Sequence, residues 1–125
     1  MTVTSPDVLR ALVVDDEPGI CEMISDALQD EGYEVSTAKN AAEAFERMRE
    51  RDFGLLILDV MLPDMDGILV HNRVKALDPA LARQTIFISG WTKAPEVHAY
   101  LESVGSFLPK PFSIQDLLRI ARSMN

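Results

Sequence analysis

Five short apolar runs, ALVV (residues 11–14), YEVST (33–37), GLLIL (54–58), TIFIS (85–89) and SFLP (106–109), alternate with segments whose apolar residues recur at helical spacing. A strand, a helix and a further strand close into a parallel pair with a right-handed crossover, so repeating the unit builds a sheet that helices must cover on both faces. The apolar run in GLLIL suits a strand buried on both sides, whereas YEVST mixes polar and apolar residues and suits an edge. The predicted class is α/β: a doubly wound, five-stranded parallel sheet with five helices on its two faces.

The helical segments carry their own punctuation. After Pro18, the residues Ile20, Met23, Ile24, Ala27 and Leu28 follow helical spacing, and Gly32 supplies a stop. Asn40 is a plausible cap for residues 40–52 and would turn Ala41, Ala44, Phe45 and Met48 inward. A third helix runs through Val70, Val74 and Leu77, with Pro79 helping to end it; a fourth, PEVHAYLESV, places Val97, Leu101 and Val104 on one face. Ser113 and Asp116 form a capping-box-like start to the last helix, which buries Ile114, Leu117, Leu118 and Ala121.

At 125 residues the chain is predicted to be one domain, 1–125, with its core at about 9–124. The lone Cys21 cannot form an internal disulfide, and no Cys/His cluster suggests zinc. MTVTSPDVLR lacks a basic segment followed by a long apolar one, and no run is long enough to span a bilayer, so the expectation is a soluble, cytoplasmic protein without membrane contact. A net charge of −8, from 20 acids against 12 Lys and Arg, argues against direct nucleic-acid binding. An acidic excess is ordinarily a solubility device, unless several acids converge.

Parallel α/β sheets bind ligands beyond the carboxyl ends of their strands. The residues at those ends are Asp15, Asp16 and Glu17 after the first strand, Asp59 after the third, Ser89 after the fourth and Lys110 after the fifth. If the first and third strands are neighbours, the aspartates repel strongly unless a cation lies among them, and a hard divalent ion such as Mg²⁺ suits an oxygen donor set. A carboxylate can act as a nucleophile towards phosphorus, with Lys110 and the Ser89 hydroxyl stabilising charge on the transferring phosphoryl oxygens. The turn VVDDEPG carries acids where a nucleotide phosphate would need amides and glycines. Individually, such residues are more often caps, turn residues and solvated charges; their coincidence at one edge gives the phosphoryl reading its weight.

VVDDEP, LILDVMLPDMDG, IFISG and FLPKPF, in this order and spacing, resemble the receiver domain of two-component response regulators. The resemblance spans nearly the whole chain and implies the flavodoxin-like strand order 2-1-3-4-5. It implies that Asp59 is the phosphoacceptor, supplied by a histidine kinase or histidine phosphotransfer protein with Mg²⁺ as cofactor. Asp16 resembles a direct metal ligand, Asp15 one acting through water, and the Met61 backbone carbonyl a further ligand beside Asp59. Lys110 corresponds to the lysine that contacts the phosphoryl group, with a cis bond to Pro111, and Ser89 and Phe107 to the switch pair. Phosphorylation would then reshape the face of the fourth helix, fifth strand and fifth helix, through which the family's resemblance also allows a dimer. The Val104-Gly105-Ser106-Phe107 turn is shorter than the family's usual one, and Trp91 is a bulky neighbour of Ser89 that would shield the phosphate or serve as a loop aromatic or partner anchor.

The main expectation is a signalling switch whose only chemistry is phosphotransfer to itself and slow hydrolysis, with its output partner unspecified. One rival is a Mg²⁺-dependent phosphohydrolase, against which Met61 stands where a common aspartate-based phosphatase family has a second acid. The other is a scaffold that has lost phosphorylation, against which the retained acids, Ser89 and Lys110 stand.

Overall fold

The computed structural model describes residues 9–90, 99–101, 103 and 106–124. Strands β1 (Leu9–Val14), β2 (Tyr33–Ala38), β3 (Leu55–Asp59), β4 (Thr85–Ser89) and β5 (Phe107–Pro109) form one sheet in the order β2-β1-β3-β4-β5. Every pairing is parallel, with Val14 opposite Leu58 and Ser89 opposite Pro109. β3 and β4 are buried along their whole length, as continuous apolar strands under helices on both faces must be, and β2 takes the edge.

Helices α1 (Pro18–Asp30) and α5 (Ile114–Ser123) lie on one face, where Ile24, Leu28 and Leu117 pack with Val13, Ile57 and Ile88. Helices α2 (Ala41–Glu50), α3 (Gly67–Leu77) and α4 (Pro79–Arg83) lie on the other, where Ala44, Val70, Val74 and Leu81 pack with Leu12, Leu56, Leu58 and Phe87. Leu101, in helical residues between β4 and β5, joins that second core. Residues of alternating parity along β1 and β3 thus supply the two cores, as the strand pleat requires.

Several local expectations hold. Asn40 Oδ1 accepts from the Glu43 amide at 2.8 Å, and Ser113 Oγ accepts from the Asp116 amide at 3.1 Å. Gly32 ends α1 at a φ of 96°, a conformation that favours glycine, and its amide donates to the Gln29 carbonyl.

Two details differ. Met23 is exposed, because the inward stripe of α1 is set by Cys21, Ile24 and Leu28, and Met23 lies well round the helix from it. Leu77 is 72% exposed, and Pro79, instead of only ending a helix, occupies the first turn of the additional short helix α4, whose cap Asp78 accepts from the Leu81 amide at 3.1 Å. Gly67 is fixed by sterics: a Cβ there would stand 2.5 Å from the Asp59 carbonyl oxygen and 2.7 Å from Val60 Cα. Val97, Val104 and Trp91 lie outside the described residues, as does Gly105 of the turn from Val104 to Phe107.

Candidate functional site

Because β1 and β3 are neighbours, the residues that end them meet. Asp59 is the last residue of β3 and 3% exposed, and Asp15, one residue past β1, is 1% exposed. The Asp15 amide is fixed to the Ala38 carbonyl of β2 at 3.0 Å, so three adjacent strands hold the corner. From the fifth strand, Lys110 reaches back across it: Nζ lies 2.8 Å from Asp15 Oδ2, 2.8 Å from Glu17 Oε1 and 3.0 Å from Asp59 Oδ2. The lysine's own amide donates to the Ser89 carbonyl at 2.6 Å, and its bond to Pro111 is cis, as expected.

The remaining carboxylate oxygens are oriented by backbone amides. Asp59 Oδ1 accepts from the Met61 amide at 2.9 Å, and Asp15 Oδ1 from the Glu17 amide at 2.9 Å. Asp15 Oδ2 is different: it is buried and accepts no aligned hydrogen bond, although the Lys110 ammonium is within ion-pair distance. Burial raises the Asp59 pKa above its ordinary value and the nearby Asp15 charge adds to this, while the Met61 amide and Lys110 act in the opposite direction. Burial opposes the charge on Lys110, but its bonds to Asp15, Glu17 and Asp59 outweigh that and raise its pKa. The cation required among the converging acids is here the ammonium. Cys21 sits beneath, its Sγ donating to the Asp15 carbonyl at 3.3 Å; burial raises the thiol to about 11, so it is not a reactive thiolate.

Oxygen donors from Asp15, Glu17 and Asp59 lie within 4.8 Å of one another. An all-carboxylate set with one buried oxygen lacking an aligned donor fits a hard divalent cation, which prefers oxygen ligands and keeps several waters. Asp16 is exposed and outside this group, and Glu17, which the sequence puts at the same edge without a role, is within it. Ser89 is fully buried, with Oγ donating to the Gly90 carbonyl at 2.8 Å, and Phe107 is half-buried against the α2–α3–α4 core. The Met61 side chain is 62% exposed beside the site.

Two further contacts join segments remote in sequence. Asp64 caps a helix other than its own: its carboxylate accepts from the Ala41 amide at 2.8 Å and the Ala42 amide at 3.1 Å, pinning the β3–α3 loop to the start of α2. Asp66 caps its own helix, accepting from Ile68 at 2.8 Å. His71 is buried in α3, with Nδ1 2.6 Å from the Tyr100 hydroxyl and Nε2 3.0 Å from the Ala82 carbonyl. Only the helical placement of His71 beside Val70 and Val74 hinted at its burial.

The response regulator receiver domain family matches residues 11–122. The chain belongs to that family. It is 33% identical to the response regulator receiver protein CpdR of Brucella abortus, over 92% of this chain and 95% of that protein. It is 34% identical to a probable transcriptional regulatory protein, TcrX, of Mycobacterium tuberculosis over 93% of this chain, but spans only 49% of that relative's length. Among solved structures, a CheY-like receiver domain protein from Methanospirillum hungatei superposes with a TM-score of 0.83 at 29% identity, covering 94% of both chains. Receiver domains are signalling modules of two-component systems, paired in general with histidine kinases, and they bind Mg²⁺ at an acidic pocket of this kind. Among the described residues, no helix is long and apolar enough to cross a membrane.

Proposed function

We propose that this receiver domain is a phosphorylation-dependent switch in which Asp59 takes a phosphoryl group from a histidine kinase or a histidine phosphotransfer protein. The observation that carries the reading is the Asp59 carboxylate itself, oriented at Oδ1 by the Met61 amide and faced at Oδ2 by Lys110, beside buried Asp15, whose Oδ2 meets the same ammonium. A carboxylate oxygen attacks phosphorus, the P–N bond to the donor imidazole breaks, and the electron pair leaves with the imidazole. Lys110, already at the site, neutralises charge on the phosphoryl oxygens as it moves from the free carboxylate towards them.

Asp15, Asp16 or Glu17, Asp59 and the Met61 carbonyl would hold Mg²⁺, which when bound supplies charge neutralisation for the phosphoryl group. The Ser89 hydroxyl, now bonded to Gly90, would turn to the phosphoryl group, and Phe107 would move further inward. The face bearing β5, α5 and the helix containing Tyr100 would carry the change to a downstream partner or second copy. Self-phosphotransfer and slow loss of the phosphoryl group would be its only chemistry.

Incubation with Mg²⁺ and a small phosphodonor, followed by intact-mass measurement, tests this. One phosphoryl group per chain is expected, absent in Asp59→Asn. Rapid multiple turnover of a phosphoester would instead make the protein a phosphohydrolase, and failure to label with any phosphodonor would make it a scaffold.

A further inference from the structure

At the end of the molecule opposite Asp59, a groove of about 470 Å³ opens between the second half of α2 and the α3–α4 corner. Its volume is in the range of roughly 300–1,000 Å³ typical of small-molecule sites. The floor includes Phe45, buried Phe53 and buried Leu81, and the rim carries Arg49, Arg51 and Arg73. Among the described residues none of these arginines has an ion-pair partner; Arg73 stands over the Phe45 ring, its guanidinium carbon 5.9 Å from the centroid.

Two acids also line the groove. Asp78 is engaged in capping α4, and Asp52 is not within ion-pair distance of any of the three guanidiniums. Glu46 and Glu50, the other acids of this stretch of α2, do not line it. A chain with net charge −8 thus gathers three cations around one apolar concavity with no carboxylate partner among the described residues. Exposed Leu77 extends the apolar surface to the rim. An uncharged apolar ligand would leave the guanidiniums without partners, and a small inorganic anion would leave the floor wet.

We infer that this groove binds a small amphiphilic organic anion, with its apolar body on Phe45, Phe53 and Leu81 and its carboxylate, sulfonate or phosphate head on the arginine rim. Such a ligand would contact α2, α3 and α4 together, giving the domain an input site separate from Asp59.

The probe is 8-anilinonaphthalene-1-sulfonate, with uncharged N-phenyl-1-naphthylamine as control, titrated into the whole chain and followed by amide chemical shifts and fluorescence. Saturable one-to-one binding is expected, with shifts concentrated in residues 45–53 and 73–81. Arg73→Gln and Arg51→Gln should each weaken it by about tenfold, as should removal of the sulfonate. Asp59 labelling, unchanged in both variants, confirms that they fold. Shifts centred elsewhere, equal affinity for the uncharged compound, or insensitivity to both substitutions would overturn the inference. So would no binding at millimolar probe, including the case where the same amides instead shift with protein concentration, which would assign the groove to self-association.

Discussion

The end of β3 and the tip of the loop that follows it each present an aspartate, and the two are electrostatic opposites. Asp59 is buried, faces Asp15 as well as Lys110, and has its pKa raised chiefly by burial. Asp64 is exposed, and the Ala41 amide, with Ala42 beside it, lowers its pKa. At the strand end ionisation is resisted by the fold; at the loop tip it is favoured. A group that must react is held where its charge is uncomfortable, and a group that must only hold a loop is placed where its charge is welcome.

Substituting the strand-end acid tests the comparison most severely. Asp59→Asn is expected to abolish phosphoryl labelling while raising the thermal midpoint, because it removes a disfavoured buried charge and leaves Lys110 paired with Asp15 and Glu17. A lower midpoint would show that the bond to Lys110 outweighs burial. Gly67→Ala strikes the backbone contact that closes the loop between the two acids. Its Cβ meets main-chain atoms of Asp59 and Val60 rather than a flexible side chain, so urea unfolding should show a loss of roughly 1–3 kcal/mol. Labelling of Asp59 should slow as well.

Asp64→Ala should cost about 1 kcal/mol, the usual worth of a helix cap, and leave labelling in place. A large loss of labelling would mean that the anchor on α2 also positions Asp59. The smallest effect is in the pH dependence, where the signs separate the two acids. The Asp64 pKa is lowered in the folded state, so its contribution is present above the ordinary 3.8 and is lost as pH falls through the folded value. The Asp59 pKa is raised, so its protonated form favours folding at low pH, an advantage lost as pH rises through the folded value. Acid titration of stability should therefore shrink the deficit of Asp64→Ala and the advantage of Asp59→Asn together, from opposite sides of wild type.

Much of this architecture was legible because its signals are local. Apolar runs at 11–14, 54–58 and 85–89 specify buried strands, and Asn40 and Ser113 cap helices within three residues of themselves. The site was legible at the level of the edge: Asp15, Asp59 and Lys110 stand at strand ends and meet there. Finer assignments were not. Gly67 is required by the close passage of the Asp59–Val60 backbone, which no residue beside it in the sequence announces. His71 lies between Tyr100 and Ala82, neither of which its neighbours in sequence identify.

The α/β class, the alternation of elements and the set of polar residues carried to the carboxyl edge follow from local pattern, since periodicity and turn chemistry act over a few residues. That Asp15 is enclosed while Asp16 is exposed, that Glu17 reaches a lysine 93 positions away, and that Asp64 serves α2 come from long-range packing. Burial and pairing depend on which distant segments arrive at the same place, and a one-residue change of register past a strand end exchanges an inward side chain for an outward one.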